Sequence, residues 1–245
     1  MAPDEKLESY LDLADQVTML ARRLAESAQQ VTTGALRTRV MAGLVLKAYS
    51  AFEGVIRDAS ARSDCAMHHL KTMVEVFIYF NWILVDKGDA RARLVFADSI
   101  ERKIRFGRDN PDRVDSSSLN QLRLLQQAIT TGIEAEWREY RKKTRGQIRR
   151  LADQAASGVP KWYRGIYQMA CDPAHIGDLI EYVPLPGKPL PFPQGFNADL
   201  SACIALDYAL HLMRWLLRSV SAYLAVNIEH EITDMDALHD RVRAG

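Results

Sequence analysis

The chain has 245 residues, enough for one large domain or two small ones, and its 48% hydrophobic and 26% charged residues are an ordinary globular composition. A formal net charge of +1 excludes a global field aimed at nucleic acid or a membrane surface, so any such signal has to be local. The three cysteines, Cys65, Cys171 and Cys203, are odd in number, far apart and set in apolar helical patterns. That usage excludes a disulfide framework and reads as buried thiols in a reducing compartment.

The N-terminus, MAPDEKLESYL, is acidic and amphipathic and carries no basic-then-apolar signal segment, so a cytoplasmic address is expected. Over residues 1–31 the apolar positions Leu7, Leu11, Ala14, Val17, Ala21, Leu24 and Ala28 recur at helix spacing behind an acidic first turn. Gly34 punctuates the pattern. A second helix follows over 35–61 through Leu36, Val40, Leu44, Ala48, Phe52 and Val55.

The third helix, over 62–86, has two different faces. Ala66, Leu70, Met73, Val74, Phe77, Phe80 and Leu84 form one apolar stripe. The opposite stripe carries His68, Lys71, Thr72, Glu75, Tyr79, Trp82 and Asp86, half polar and half aromatic. A solvated face has no use for Tyr79 and Trp82 one turn apart, so this side is expected to be covered by the rest of the chain or by a second copy. Ser63 or Asp64 is placed to cap its start. Lys71 and Glu75, one turn apart, make either a plain surface ion pair or part of a polar cluster with His68 and Tyr79.

A fourth helix over 90–106 and a polar loop over 107–118 lead to one long helix expected over 118–157. Its second half is a basic arm: Arg138, Arg141, Lys142, Lys143, Arg145, Arg149 and Arg150 stand against a single Glu139. Such a run either tracks a phosphate backbone, with Trp137 and Tyr140 stacking on bases, or is the solvated tip of a projecting helix. A shorter helix over 161–171 carries Tyr163, Tyr167 and Cys171, and continuing the four-residue step reaches His175.

Residues 183–198, with five prolines up to Phe196, read as an extended surface loop. The most apolar segment closes the chain over 199–230. Asp207, His211, Arg214 and Arg218 interrupt it, which argues for a core helix and against a membrane span. A small terminal helix ends the chain. No stretch alternates with period two, so the fold class is all-α: a single up-and-down-like bundle of about seven or eight helices, with a projecting basic helix and a proline-rich surface loop.

Familiar catalytic signatures are missing: no Gly-rich phosphate loop, no Gly-x-Ser-x-Gly elbow, no His-Glu-x-x-His and no paired Cys-x-x-Cys. Cys171 and His175 lack a second pair of metal ligands, so neither a metal nor a cofactor is called for.

Lys71-x-x-x-Glu75 followed by Trp82, and Tyr167-x-x-x-Cys171-x-x-x-His175 ahead of the closing helix, resemble a bacterial all-helical family of unknown function placed near the HEPN (higher eukaryotes and prokaryotes nucleotide-binding) domains. Two departures mark this chain: Lys71 stands where that pattern has Arg, and Pro173 precedes the histidine. The two-faced third helix, the basic arm and the missing catalytic signatures point to a binding protein, with RNA or DNA as partner through the arm. The resemblance implies a helical domain and sets it in a bacterial stress or phage-defence system. It also implies a second class, a metal-independent ribonuclease or nucleotide-processing enzyme. There His175 or His68 works with a neighbouring Arg, Tyr167 positions, and Glu75, beside Lys71, orients. The Arg-x4–6-His spacing of HEPN ribonucleases is met by Arg62 with His68 or His69, a spacing that a chain so rich in arginine meets by chance. A third class is a homodimeric scaffold using Tyr79 and Trp82 as its interface.

Overall fold

The computed structural model describes residues 3–31, 33–63, 65–143, 147–156, 158–171, 198–221 and 226–244. Among these there is no strand, and the chain is an all-α helical bundle. The elements are α1 (Pro3–Gln29), α2 (Leu36–Ser60), α3 (Cys65–Leu84), α4 (Ala90–Asp109), α5 (Ser116–Thr130), α6 (Glu134–Lys143) and α7 (Ile148–Asp153). They continue with α8 (Val159–Trp162), a π-helical turn (Tyr163–Tyr167), α9 (Gln168–Cys171), α10 (Ala198–Ser221) and α11 (Glu229–Ala244).

The chain divides into two compact units. Unit 1 comprises Met1–Val31, Ala42–Phe77 and Lys161–Gly245; unit 2 comprises Thr32–Met41 and Ile78–Pro160. In unit 1, α1 packs against α10 and α11. The periodic positions of α1 fill that core: Leu7, Ala14, Val17, Ala21, Leu24 and Ala28 are all buried. The stripe of α3 behaves likewise, with Leu70 and Val74 at 0% exposure. The stretch Leu200–Ser221 is long and apolar enough, by length and composition alone, to cross a membrane, but 67% of it is buried in the protein. Its greasy side is a core side.

In unit 2, α4 packs against α5 and α6 touches α4. Two arginines close helix ends here. Arg37 Nη1 donates to the carbonyls of Asp86 (2.7 Å) and Gly88 (3.0 Å), and its Nη2 to that of Leu84 (3.3 Å), satisfying the C-terminus of α3. Arg93 does the same for α5 by donating to the carbonyls of Ile129 (2.8 Å) and Thr131. Asp86 accepts from the backbone N–H of Gly88 and of Arg91 and so caps the entry to α4.

The structure corrects several expectations. The helix expected over 118–157 is three helices. The first break falls at Gly132, whose φ of +80° is the left-handed conformation that ends a helix at little cost only for glycine. The entry to α5 is capped by Asp115, whose carboxylate accepts from the Ser118 N–H at 2.8 Å, three residues before the expected start. The basic segment does not project as an arm. Tyr140 on α6 is buried at 3%, and Arg141 pairs with Glu101 of α4 at 3.1 Å, so α6 lies on the body of unit 2. Of the cysteines only Cys203 is buried; Cys171 is half-buried and Cys65 is exposed, because Cys65 opens α3 at its solvent end. The proline-rich stretch 183–197, His175 and Arg145 lie outside the described residues.

Candidate functional site

The two stretches singled out by their patterns meet inside unit 1. On α3, Lys71 and Glu75 stand one turn apart on the side away from the apolar stripe, both half-buried. The π-helical turn presents Tyr167 to them. Its hydroxyl donates to Glu75 Oε1 at 3.1 Å, and the Lys71 ammonium sits 5.8 Å from its ring centroid. Tyr163 stacks on Tyr167 with centroids 5.1 Å apart and an interplanar angle of 22°. One turn on, half-buried Cys171 lies close enough for its thiol to feel the Tyr167 hydroxyl and the charges of Lys71 and Glu75.

The local sequence explains the geometry. A π turn widens the helix by one residue and swings its side chains out of α-helical register, a distortion that concentrates at functional sites. Here it carries Tyr163 and Tyr167, with Ile166 buried beneath them. Next to it, Trp162 contacts Phe77 at 5.4 Å and stacks on His211 at 5.0 Å, which ties the segment to α3 and α10.

Electrostatics keep two of the groups neutral. Burial, then the Glu75 charge and Cys171, push the Tyr167 phenol above the ordinary tyrosine range, so it is a neutral donor at physiological pH. Burial likewise raises the Cys171 thiol, against the opposing pull of Lys71. The cluster therefore combines an ammonium, a carboxylate with one oxygen engaged, a neutral phenol and a neutral thiol. It can bind a polar ligand with both donors and an acceptor, and the Tyr163 ring offers a flat contact.

The other candidates lie elsewhere. Arg62 turns to Asp4 at 2.8 Å and sits at a left-handed φ of 52° where α2 ends, while His68 is exposed. His69 pairs with Asp58 at 3.3 Å. Tyr79 and Trp82 fall in unit 2. Trp82 is 3% exposed, donates to Gln154 Oε1 at 3.1 Å, packs on Tyr140 at 5.8 Å and lies under the Arg91 guanidinium at 4.9 Å. Tyr79 is half-buried. The described basic residues, Arg138, Arg141, Lys142, Lys143, Arg149 and Arg150, are all exposed. Three of them have partners in unit 2: Arg141 with Glu101, Lys143 with Glu139, and Arg150 with the Lys143 carbonyl. Among the described residues no group of three or more His, Cys, Asp or Glu side chains is gathered as metal ligands would be.

Sequence reading missed a second polar cluster in unit 1. Asp207 Oδ1 accepts from the Tyr10 hydroxyl at 3.3 Å and pairs with His239 Nε2 at 2.7 Å and Arg243 Nε at 3.1 Å. The one available signal was Asp207 itself, a carboxylate inside the most apolar helix.

No curated protein and no solved structure matches the chain. Residues 38–183 match the family of unknown function DUF5677, a range that contains Lys71, Glu75, Tyr167 and Cys171. The match takes in more than half of the sequence, and the chain belongs to that family.

Proposed function

We propose that the protein acts by binding, that its ligand contact is the Lys71–Glu75–Tyr167–Cys171 cluster, and that nucleic acid is its partner. One observation carries the reading: side chains 92 residues apart converge through the Tyr167–Glu75 hydrogen bond, at a π-helical turn. The chemistry suits a nucleotide unit. Lys71 offers a cation to a phosphate, the free lone pairs of Glu75 accept from a base edge, and the Tyr163 ring is a surface for stacking. The exposed basic residues of unit 2 add a sequence-independent attraction to the same kind of partner. Through the HEPN-like resemblance, the setting we attach to this reading is a bacterial stress or phage-defence system in the cytoplasm.

Fluorescence anisotropy with a labelled single-stranded RNA tests it, using the wild type, Lys71→Ala and Glu75→Gln. Binding that weakens about tenfold or more in both variants supports the cluster, since each removes one charge-assisted contact. Binding that is absent, or unaffected by either change, refutes it.

A further inference from the structure

The helix α11 shares no residue with the binding cluster. α11 holds to α1 and α10 largely by polar contacts. Along its length Ile232 and Val242 are the buried apolar side chains, with His239 buried between them. Asp207 of α10 collects His239 and Arg243 from α11 and Tyr10 from α1 on one oxygen. One turn earlier on α11, Asp236 takes Arg214 at 2.5 Å and also Arg218, both from α10. At the start of the helix, Arg23 of α1 reaches Glu231 at 2.9 Å and the Asn227 carbonyl at 3.3 Å.

This seam is incompletely satisfied. His239 Nδ1 and Arg214 Nε are buried without a hydrogen-bond partner among the described residues, and buried polar atoms of that kind lower the stability of the docked state. Undocking hydrates both. The apolar surface exposed in exchange is small, because so little of α11 is apolar and buried. By contrast α10 and α1 hold each other through long apolar stripes, with Leu206, Leu210 and Leu217 facing the core at 0% and Leu13 at 1%.

We propose that α11 is a releasable strap that leaves α1 and α10 as a unit while the rest of unit 1 stays folded, with Asp207 as its catch. Opening separates the Asp207 carboxylate from His239 and Arg243 and leaves Tyr10 and Asp207 facing solvent on the α1–α10 pair. The opening is a local equilibrium distinct from global unfolding.

Native-state hydrogen–deuterium exchange of the full chain, followed by mass spectrometry across sub-denaturing urea, tests it. The amides of α11 are expected to exchange about 100-fold faster than those of α2 and α3, with a rate nearly independent of urea. Asp207→Ala, which removes a carboxylate accepting charge-assisted hydrogen bonds, is expected to speed α11 exchange a further tenfold or so and leave α2 unchanged. The proposal is overturned if α11 exchanges at the rate and with the urea dependence of α2 and α3, or if Asp207→Ala accelerates every helix alike. Should Asp207→Ala fail to fold, the wild-type urea series decides alone.

Discussion

The Tyr167 hydroxyl and the Glu75 carboxylate meet at 3.1 Å and join the π-helical turn to the polar side of α3. The bond depends on a phenol that keeps its proton, which burial and the neighbouring carboxylate enforce. Because the folded-state value is raised, this contribution to stability is fully present below about pH 10, the unfolded tyrosine value, and fades as pH rises above it. The ultraviolet tyrosine-ionisation difference between wild type and Tyr167→Phe should show no titration near pH 10. A normal titration there would mean that the phenol is neither buried nor bonded.

Removing the hydroxyl has a modest cost. Tyr167→Phe leaves the rings in place and deprives Glu75 of its donor, for a loss of about 1 kcal/mol in urea unfolding. Glu75→Gln retains an acceptor and should cost less. If Tyr167→Phe were neutral and Glu75→Gln severe, the two groups would be acting independently.

Gly54 and His69 form a second testable pair. A Cβ at position 54 would lie 2.6 Å from the His69 ring, so Gly54→Ala must displace the imidazole and its contact with Asp58. Overpacking of this kind costs about 1–3 kcal/mol. In a His69→Ala background the same change should turn stabilising by up to about 1 kcal/mol, since alanine is the better helix former. Chemical denaturation of the four proteins of the cycle measures both signs.

Trp82 separates a structural role from an interface role. Buried against Tyr140 and bonded to Gln154, it should cost about 3–5 kcal/mol on truncation to alanine. A Trp82→Glu variant should lose stability at every protein concentration. A wild-type dimer that this change converts to a folded monomer of full stability would restore the scaffold reading.

The Asp207 catch carries its own acid signature. Burial works to raise this carboxyl, but the His239 hydrogen bond and the Arg243 charge outweigh it and hold the group below the ordinary aspartate value. A depressed folded-state value means that the contribution is present above about pH 4 and is lost as pH falls through the folded value. Docking of α11 should therefore loosen below about pH 4, and less so in Asp207→Asn, as the exchange of residues 229–244 would report.

Much of the fold was legible because helical periodicity is a strong signal over long windows: the stripes on α1 and α3 are core faces as read. The break at Gly132 was not legible, since one glycine inside an amphipathic pattern is usually tolerated and its φ is decided by the packing of α5 and α6. The convergence of Lys71, Glu75, Tyr167 and Cys171 was legible as two short patterns, although nothing in either said that they touch. The Tyr10–Asp207–His239 contact was illegible for a plainer reason. It joins three helices across 197 and 32 positions of the chain, and no local pattern encodes so distant a pairing. The arginine caps at the ends of α3 and α5 escaped notice for the same reason.

Photo-crosslinking locates the partner directly. A single-stranded RNA carrying a photoreactive base is bound to the full chain, irradiated, and the adducts are mapped by mass spectrometry. The account predicts adducts at Tyr163 and Tyr167 that disappear in Lys71→Ala. Adducts confined to the basic segment between Arg138 and Arg150, or none at all, would contradict it.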